Sequence, residues 1–485
     1  MNEAIANLEP AALWKHFAAI SAIPRCSRNE AAVRAYVQQQ ADQWGLAHQT
    51  DATGNIVVRR PGSGSAAGHD PVTLQGHLDM VCEKNMDVEH DFSQQGLRLL
   101  RDGEWLHADR TTLGADNGIA VAMMLALLET PPDDCPPLEC LFTVDEETGL
   151  TGAVGLDPAL LHGRRLINLD SEEEGFFCIG CAGGRNTYGT LPLVWQEPSP
   201  AGLSGAELRV TGLRGGHSGV DIHEGRGNAI RLAARVLHAL RGALPALQLG
   251  TLSGGDKHNA IPRECRAELA VPGAEFQRAA DMAAEMEKTC RAEFGDQEPK
   301  LSIELVAAPA LRRVLSPGDS GRLIDLLLAL PHGVLGMSRE VAGLVETSSN
   351  LAAVRIEEGQ LKVLTSQRSS RGSLVDWASG TVAAAVRLAG GTVSEAEGYP
   401  AWPPRPDSPL AETAQAVFRD LHGRGAELGA IHAGLECGVI GDRVGGMDMI
   451  SLGPDMLGVH TPDERLSIPS TQRTWTLLRE LVARL

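Results

Sequence analysis

Two hydrophobic periodicities take turns along this chain. Residues 10–45 repeat apolar side chains at helical spacing: Leu13, Phe17 and Ile20, then Ala32, Val33, Tyr36 and Val37. Two helices meeting at the Ile23-Pro24-Arg25 break are expected. Asn55-Ile56-Val57-Val58-Arg59 reads as a strand, and residues 61–68 as a Gly/Ser loop. Residues 71–74 open a further strand that runs into Leu74-Gln75-Gly76-His77-Leu78-Asp79-Met80. Period-two alternation puts His77 and Asp79 on one face of it, which suits an imidazole held by a nearby carboxylate. Asp116 stands just before an apolar helix over 121–128. There it can be an N-cap or a carboxylate bridging two cations.

Residues 138–144 read as a mainly apolar strand that ends in Asp145-Glu146-Glu147-Thr148-Gly149, and residues 165–170 as another that ends in Asp170. Adjacent acids at the end of a buried strand are costly unless paired or metal-bound. Neighbouring side chains diverge, so of Glu146 and Glu147 one can ligate while the other faces a substrate. Three apolar strands thus finish in potential ligands: His77, Glu147 and Asp170. Sites in open α/β sheets lie outside the carboxyl ends of parallel strands. The strand-helix-strand order predicts an α/β fold with a mixed, mainly parallel sheet.

From residue 187 to residue 402 the strand-end acids disappear. Strands there alternate with amphipathic helices in two successive sets, expected as two α+β units, each an antiparallel sheet with helices on one face. The first and last parts, 1–186 and 403–485, would then make one discontinuous domain around the insertion. Three spots stand out inside it: His217 in Gly215-Gly216-His217-Ser218-Gly219, Asn259 in a turn, and Arg368 at a strand end. Past the insertion, residues 408–422 read as a helix, Glu436 precedes the last expected strand at 449–454, and His460 lies in a Gly/Pro-bounded loop. A closing helix covers 469–485.

Composition narrows the class. A chain of 485 residues is too long for one ordinary core and should divide into two or three domains. Its net charge of −19 argues against nucleic acid and anionic lipid as partners. No apolar run approaches the ~20 residues of a membrane span, and the first ten residues lack the layout of a secretory signal. Nine scattered cysteines read as reduced cytosolic thiols, hence a cytoplasmic protein. Cys178-Ile179-Gly180-Cys181 reads as buried small hydrophobes rather than a zinc or redox pair.

Taken together, Gly-His-Leu-Asp, Gly-Ala-Asp-Asn-Gly, Asp-Glu-Glu-Thr-Gly, Asn-Leu-Asp and a late Val-His-Thr-Pro resemble the co-catalytic zinc exopeptidases, which include carnosinases, peptidase T and bacterial carboxypeptidase G. Gln-Gly-His-Leu-Asp-Met-Val-Cys-Glu-Lys, Asn-Leu-Asp-Ser-Glu-Glu and the size of the insertion resemble the branch that cleaves aminoacyl-histidine dipeptides. The resemblance covers essentially the whole chain. It implies one cation held by His77 and Asp170, another by Glu147 and His460, and Asp116 bridging both. It also implies a cis peptide after Asp116. Two imidazoles and three carboxylates suit Zn2+, with Co2+ or Mn2+ possible.

The activity implied is hydrolysis of dipeptides, Xaa-His preferred, by a water between the metals with Glu146 as general base and Asp79 orienting His77. By the same resemblance the insertion is a lid and homodimerisation domain. Its His217 would stabilise an oxyanion, and Asn259 and Arg368 would bind substrate. Glu436, from its acidity and position, is a candidate for the substrate's ammonium. A tripeptide aminopeptidase or an N-acyl amino acid deacylase would use the same metal site and stays open. A non-enzymatic binding protein would lack the base or a ligand. A dinuclear phosphoesterase would need a phosphate-gripping glycine loop, which is missing.

Overall fold

Four parallel strands stand side by side in the order Leu138–Thr143, Val72–His77, Arg165–Asn168 and Asp448–Ser451. They are the middle of an eight-stranded sheet in the computed structural model, which describes residues 3–199 and 202–485. Ile56–Arg60 extends the sheet on one side, antiparallel to Leu138–Thr143, and Ala47–Thr50 adds to it as the edge strand, antiparallel to Ile56–Arg60. Phe176–Cys181 and Glu427–Ile431 extend it on the other. The sheet is therefore mixed, with its parallel part at the centre. Val72–His77 is buried at every position, as expected of a strand covered on both faces.

The helices share one core with this sheet. Leu13, Phe17 and Ile20 of Ala11–Ser21 and Met124 and Leu128 of Ala115–Glu129 pack in the same cluster as Leu74, Cys140, Ile167 and Ile450. Ala115–Glu129 is buried along almost its whole length, which is why its sequence is apolar all round rather than amphipathic. Gly76 is needed where this helix starts, because a Cβ there would lie 2.4 Å from Asn117 Oδ1 and 2.8 Å from Ala120 Cβ.

The chain forms two compact units, residues 1–181, 402–430 and 435–485 in the first and 182–401 with 431–434 in the second. The change comes at Ala182 because the Gly183–Pro192 strand already pairs in the second unit's sheet. That sheet runs Ser302–Ala308, Leu203–Thr211, Cys265–Pro272, Gln248–Gly254, Val345–Glu357, Gln360–Ser369, Gly183–Pro192, Thr392–Glu395. The two antiparallel halves expected from the sequence join edge to edge in it, through Ser253 opposite Arg355 and Gly254 opposite Val354. Pairing the two inner edges removes exposed backbone donors and acceptors, and a single core containing Leu208, Leu269, Leu351 and Val382 backs both halves.

Two expectations need correction. The Asp448–Ser451 strand is not the last: Met456–Leu457 and Arg465–Ser467 follow as a hairpin on Trp105–Ala108. Nor are all nine cysteines reduced, since Cys26 and Cys82 form a disulfide. The loops after Ala11–Ser21 and after Val72–His77 bring their Cα atoms to 5.8 Å across 56 residues of sequence, a proximity that spacing alone does not reveal. The other seven cysteines, Cys178 and Cys181 among them, form no disulfide and are buried. Among the described residues no helix is long and apolar enough to cross a membrane.

Candidate metal centre

His77 ends its strand with a side chain only 1% exposed. Its backbone N–H donates to Asn117 Oδ1 at 3.2 Å, and Asn117 Nδ2 donates to Leu169 O at 2.9 Å, so Asn117 ties two parallel strand ends together. Asp116 lies at the start of Ala115–Glu129 with non-helical backbone and a cis bond to Asn117. Its carboxylate caps no N–H of its own helix. It points at two imidazoles instead: Oδ1 is 3.0 Å from His77 Nε2, and Oδ2 is 3.1 Å from His460 Nε2. Asp170 Oδ1 lies 3.5 Å from His77 Nε2, and Glu147 Oε2 lies 3.0 Å from His460 Nε2.

Two sets of donors result, His77 with Asp116 and Asp170, and Asp116 with Glu147 and His460, each with ligand atoms within 4.8 Å of one another. Asp116 belongs to both. Asp79 behaves differently from the simple expectation. Its Oδ1 is 3.4 Å from His77 Nδ1, while the nearer partner of that nitrogen is the Asp79 carbonyl at 3.1 Å. The carboxylate chiefly accepts the N–H of Glu146 at 3.0 Å and of Glu147 at 3.2 Å, and the Ser27 hydroxyl at 2.7 Å. Asp79 thus fixes the backbone that carries both glutamates.

The electrostatics fit a cationic occupant. Burial alone would lower the pKa of His77, but Asp170, Asp116 and Asp79 outweigh it and raise it well above the usual value. Hydrogen bonds that Asp116 and Glu147 accept from its ring push His460 up to about 11. Burial raises Asp170 to about 7, helped by Asp116 and Glu147. Burial also lifts the Glu146 carboxyl well above its ordinary range. Five carboxylates at 79, 116, 146, 147 and 170 face two imidazoles, and Glu147 Oε1 is buried without a hydrogen-bond partner. An orphaned, desolvated carboxylate oxygen is expensive unless something positive meets it. The donor set of imidazole nitrogens and carboxylate oxygens could hold divalent zinc, cobalt or manganese.

Known proteins resemble this chain along nearly its whole length. The chain is 37% identical over 478 residues to the cytosol non-specific dipeptidase of Escherichia coli, covering 99% of this chain and 98% of that protein. The chain belongs to the M20 family of metallopeptidases. The family's peptidase dimerisation domain model matches residues 208–298. The structure of an aminoacylhistidine dipeptidase from Vibrio alginolyticus superposes with a TM-score of 0.92 at 37% identity, covering 99% of this chain and 98% of that one. An aminopeptidase from Bacillus cereus shares the fold at a TM-score of 0.56 and 15% identity, with 98% of each chain covered.

Four further expected positions behave unequally. Glu436, at the start of the Glu436–Arg443 helix, is 0% exposed. Its Oε2 accepts from Gln75 Nε2 at 2.5 Å and Thr143 Oγ1 at 2.8 Å, and burial raises its pKa to about 7. Full burial beneath the strand ends sets it apart from the ammonium-binding role expected for it. His217, Asn259 and Arg368 belong to the second unit. His217 Nδ1 accepts the N–H groups of Gly219 and Val220, both at 3.2 Å, which places the proton of the neutral ring on Nε2. Burial, reinforced by Arg368, lowers its pKa and keeps it neutral. Arg368 is 6% exposed and donates to the Tyr399 hydroxyl at 2.9 Å, with its Nε unpartnered. Asn259 is exposed, and its carbonyl accepts from Ser218 N at 2.8 Å.

Sequence reasoning missed Arg25 and Glu464. Arg25 is a buried guanidinium that donates to Leu78 O, Asp79 O and Gly114 O. Glu464, 2% exposed, accepts backbone N–H groups of the segment leading into Asp116. For Glu464 a signal exists, an acid four residues after His460; for Arg25 there is none.

Proposed function

We propose that this chain is a metal-dependent dipeptidase that cleaves Xaa-His and other dipeptides. The observation that carries the reading is Asp116, whose two carboxylate oxygens each face a different imidazole, each imidazole having a further carboxylate beside it. His77 and Asp170 would hold one cation, Glu147 and His460 the other, and Asp116 both. Zinc is the ion the donors suit best, with cobalt or manganese as substitutes. The relatives named for dipeptide and aminoacyl-histidine hydrolysis support the substrate class. The chain pairs with a second copy through the segment matched by the dimerisation-domain model, and it works in the cytoplasm.

When bound, two divalent cations supply Lewis-acid polarisation of the scissile carbonyl and make water acidic near neutral pH. The chain does the rest. Glu146, its backbone fixed by Asp79, takes the proton of the attacking water and returns it to the leaving amine. Among the described residues no hydrogen bond occupies its carboxylate, and desolvation makes it a stronger base than a solvated glutamate. The second unit offers groups suited to substrate polar atoms: the Nε2–H of neutral His217 for a carbonyl oxygen, and the Arg368 guanidinium for a terminal carboxylate.

The test is a substrate panel run with metal analysis on one preparation. Cleavage of β-Ala-His and other dipeptides should vanish on chelation and return with Zn2+ or Co2+. Chelator-resistant cleavage contradicts the reading. Faster turnover of tripeptides or N-acyl amino acids would replace it with one of the two other activities of the family.

A further inference from the structure

The loop that carries His460 also carries Glu464, whose carboxylate meets the backbone of the segment leading into Asp116. Residues 458–464 connect Met456–Leu457 to Arg465–Ser467, a hairpin paired with Trp105–Ala108. The loop is internally tied, Thr461 N–H to Gly458 O and Glu464 N–H to Thr461 O, both at 3.1 Å. Its His460 has positive φ, 64°, and turns the imidazole onto the Asp116 carboxylate. Its Glu464 reaches the backbone of the same segment. Oε2 accepts the N–H of Leu113 at 2.7 Å and of Gly114 at 2.9 Å. Oε1 accepts the N–H of Ala115 at 2.8 Å and of Asp116 at 3.4 Å.

Two of these donors, Leu113 and Gly114, lie in the turn that leads into Ala115–Glu129 and two, Ala115 and Asp116, open the helix, where a carboxylate is favoured as an acceptor of N–H groups that have no partner within the helix. No residue of the helix's own N-terminus caps them. The Arg25 guanidinium holds the other side of the same segment through Gly114 O, and there a Cβ on Gly114 would lie 2.5 Å from Arg25 Nη2. Asp116 can face two imidazoles only if its backbone stays where it is, and Glu464 and Arg25 hold that segment from its two sides.

We propose that Glu464 is a positioning residue for the metal centre, locking the Asp116 backbone to the His460 loop so that the two ligands from distant parts of the chain move as one. This rests on the metal reading above. The cation shared by Asp116, Glu147 and His460 should feel the loss of Glu464 first, because both ends of the lock belong to that set.

The experiment is Co2+ titration of the chelated, metal-free full-length protein, followed by visible d–d absorption and competition with a chromophoric chelator. Parent protein, Glu464→Gln and Glu464→Asp are compared, with the thermal midpoint of each metal-free form measured alongside. Parent protein should bind two ions per chain. Glu464→Gln should weaken one of them about 10–100-fold, the usual cost of removing a ligand's supporting partner, and leave the other within a few-fold. Glu464→Asp should recover part of the loss, and it carries the same reading should the Gln variant not fold. At saturating Co2+, kcat should fall more than KM changes. Two unchanged affinities with a lowered metal-free midpoint would overturn the proposal and leave Glu464 merely structural. Parent protein that binds no Co2+ would instead overturn the metal reading itself.

Discussion

The first unit gathers its charged groups at one edge of a sheet; the second spreads its polar groups over many strands. The cause is strand direction. Leu138–Thr143, Val72–His77 and Arg165–Asn168 run parallel, so His77, the Glu146-Glu147 pair and Asp170 all leave the sheet on the same side. In the second unit the pairings are antiparallel, so successive strands end at opposite edges. Among the described residues every group with metal-ligand spacing falls in the first unit. The parallel strands bring three of the donors to one side, and Asp116 from the following helix and His460 from the late hairpin loop meet them there.

Four substitutions sharpen the contrast. Glu146→Ala should lower turnover about 10²–10⁴-fold, the range for a lost general base, with metal content near that of the parent protein by elemental analysis. Leu351→Ala, in the second unit's core at 0% exposure, should cost about 2–5 kcal/mol of stability. It should leave the metal affinity of the folded protein alone; altered affinity would break the division of labour between the units. Asp79→Asn removes the charge that accepts the Glu146 and Glu147 N–H groups. Turnover should fall about 10–100-fold, through kcat more than KM.

The smallest effect concerns His332 in the second unit. Its Nδ1 accepts from Asn228 Nδ2 at 3.2 Å and Leu351 N at 3.3 Å. Burial, reinforced by Arg231, lowers its pKa from 6.5 to about 3. Above pH 6.5 both folded and unfolded forms are neutral and the residue contributes nothing. Below it the unfolded chain takes up the proton first, so stability falls by up to about 1.4 kcal/mol per pH unit until pH nears 3. His332→Asn keeps an acceptor and removes the titration. Thermal midpoints from pH 7 to 4 should fall less steeply for the variant than for the parent protein, and parallel curves would remove the assignment.

How much of this was legible in the sequence follows the range of each interaction. Strand-end residues such as His77 and Asp170 announce themselves locally, because an apolar run that stops at an acid needs a reason. The helices near the start were legible from Leu13, Phe17 and Ile20 for the same reason. What depends on distant segments meeting was not. The Cys26–Cys82 bond, the Glu464 grip on residues 113–116 across about 350 positions, and the edge pairing of Ser253 with Arg355 leave no periodic trace. The role of Asp79 was legible only in part. Its nearness to His77 follows from alternation, but the loop it holds comes from another strand.

Anomalous diffraction at the zinc edge, from crystals of the full-length protein grown with Zn2+, tests the proposed metal pair most directly. Two peaks should flank Asp116, one beside His77 and Asp170 and the other beside Glu147 and His460. A single peak, or none touching Asp116, would contradict the account.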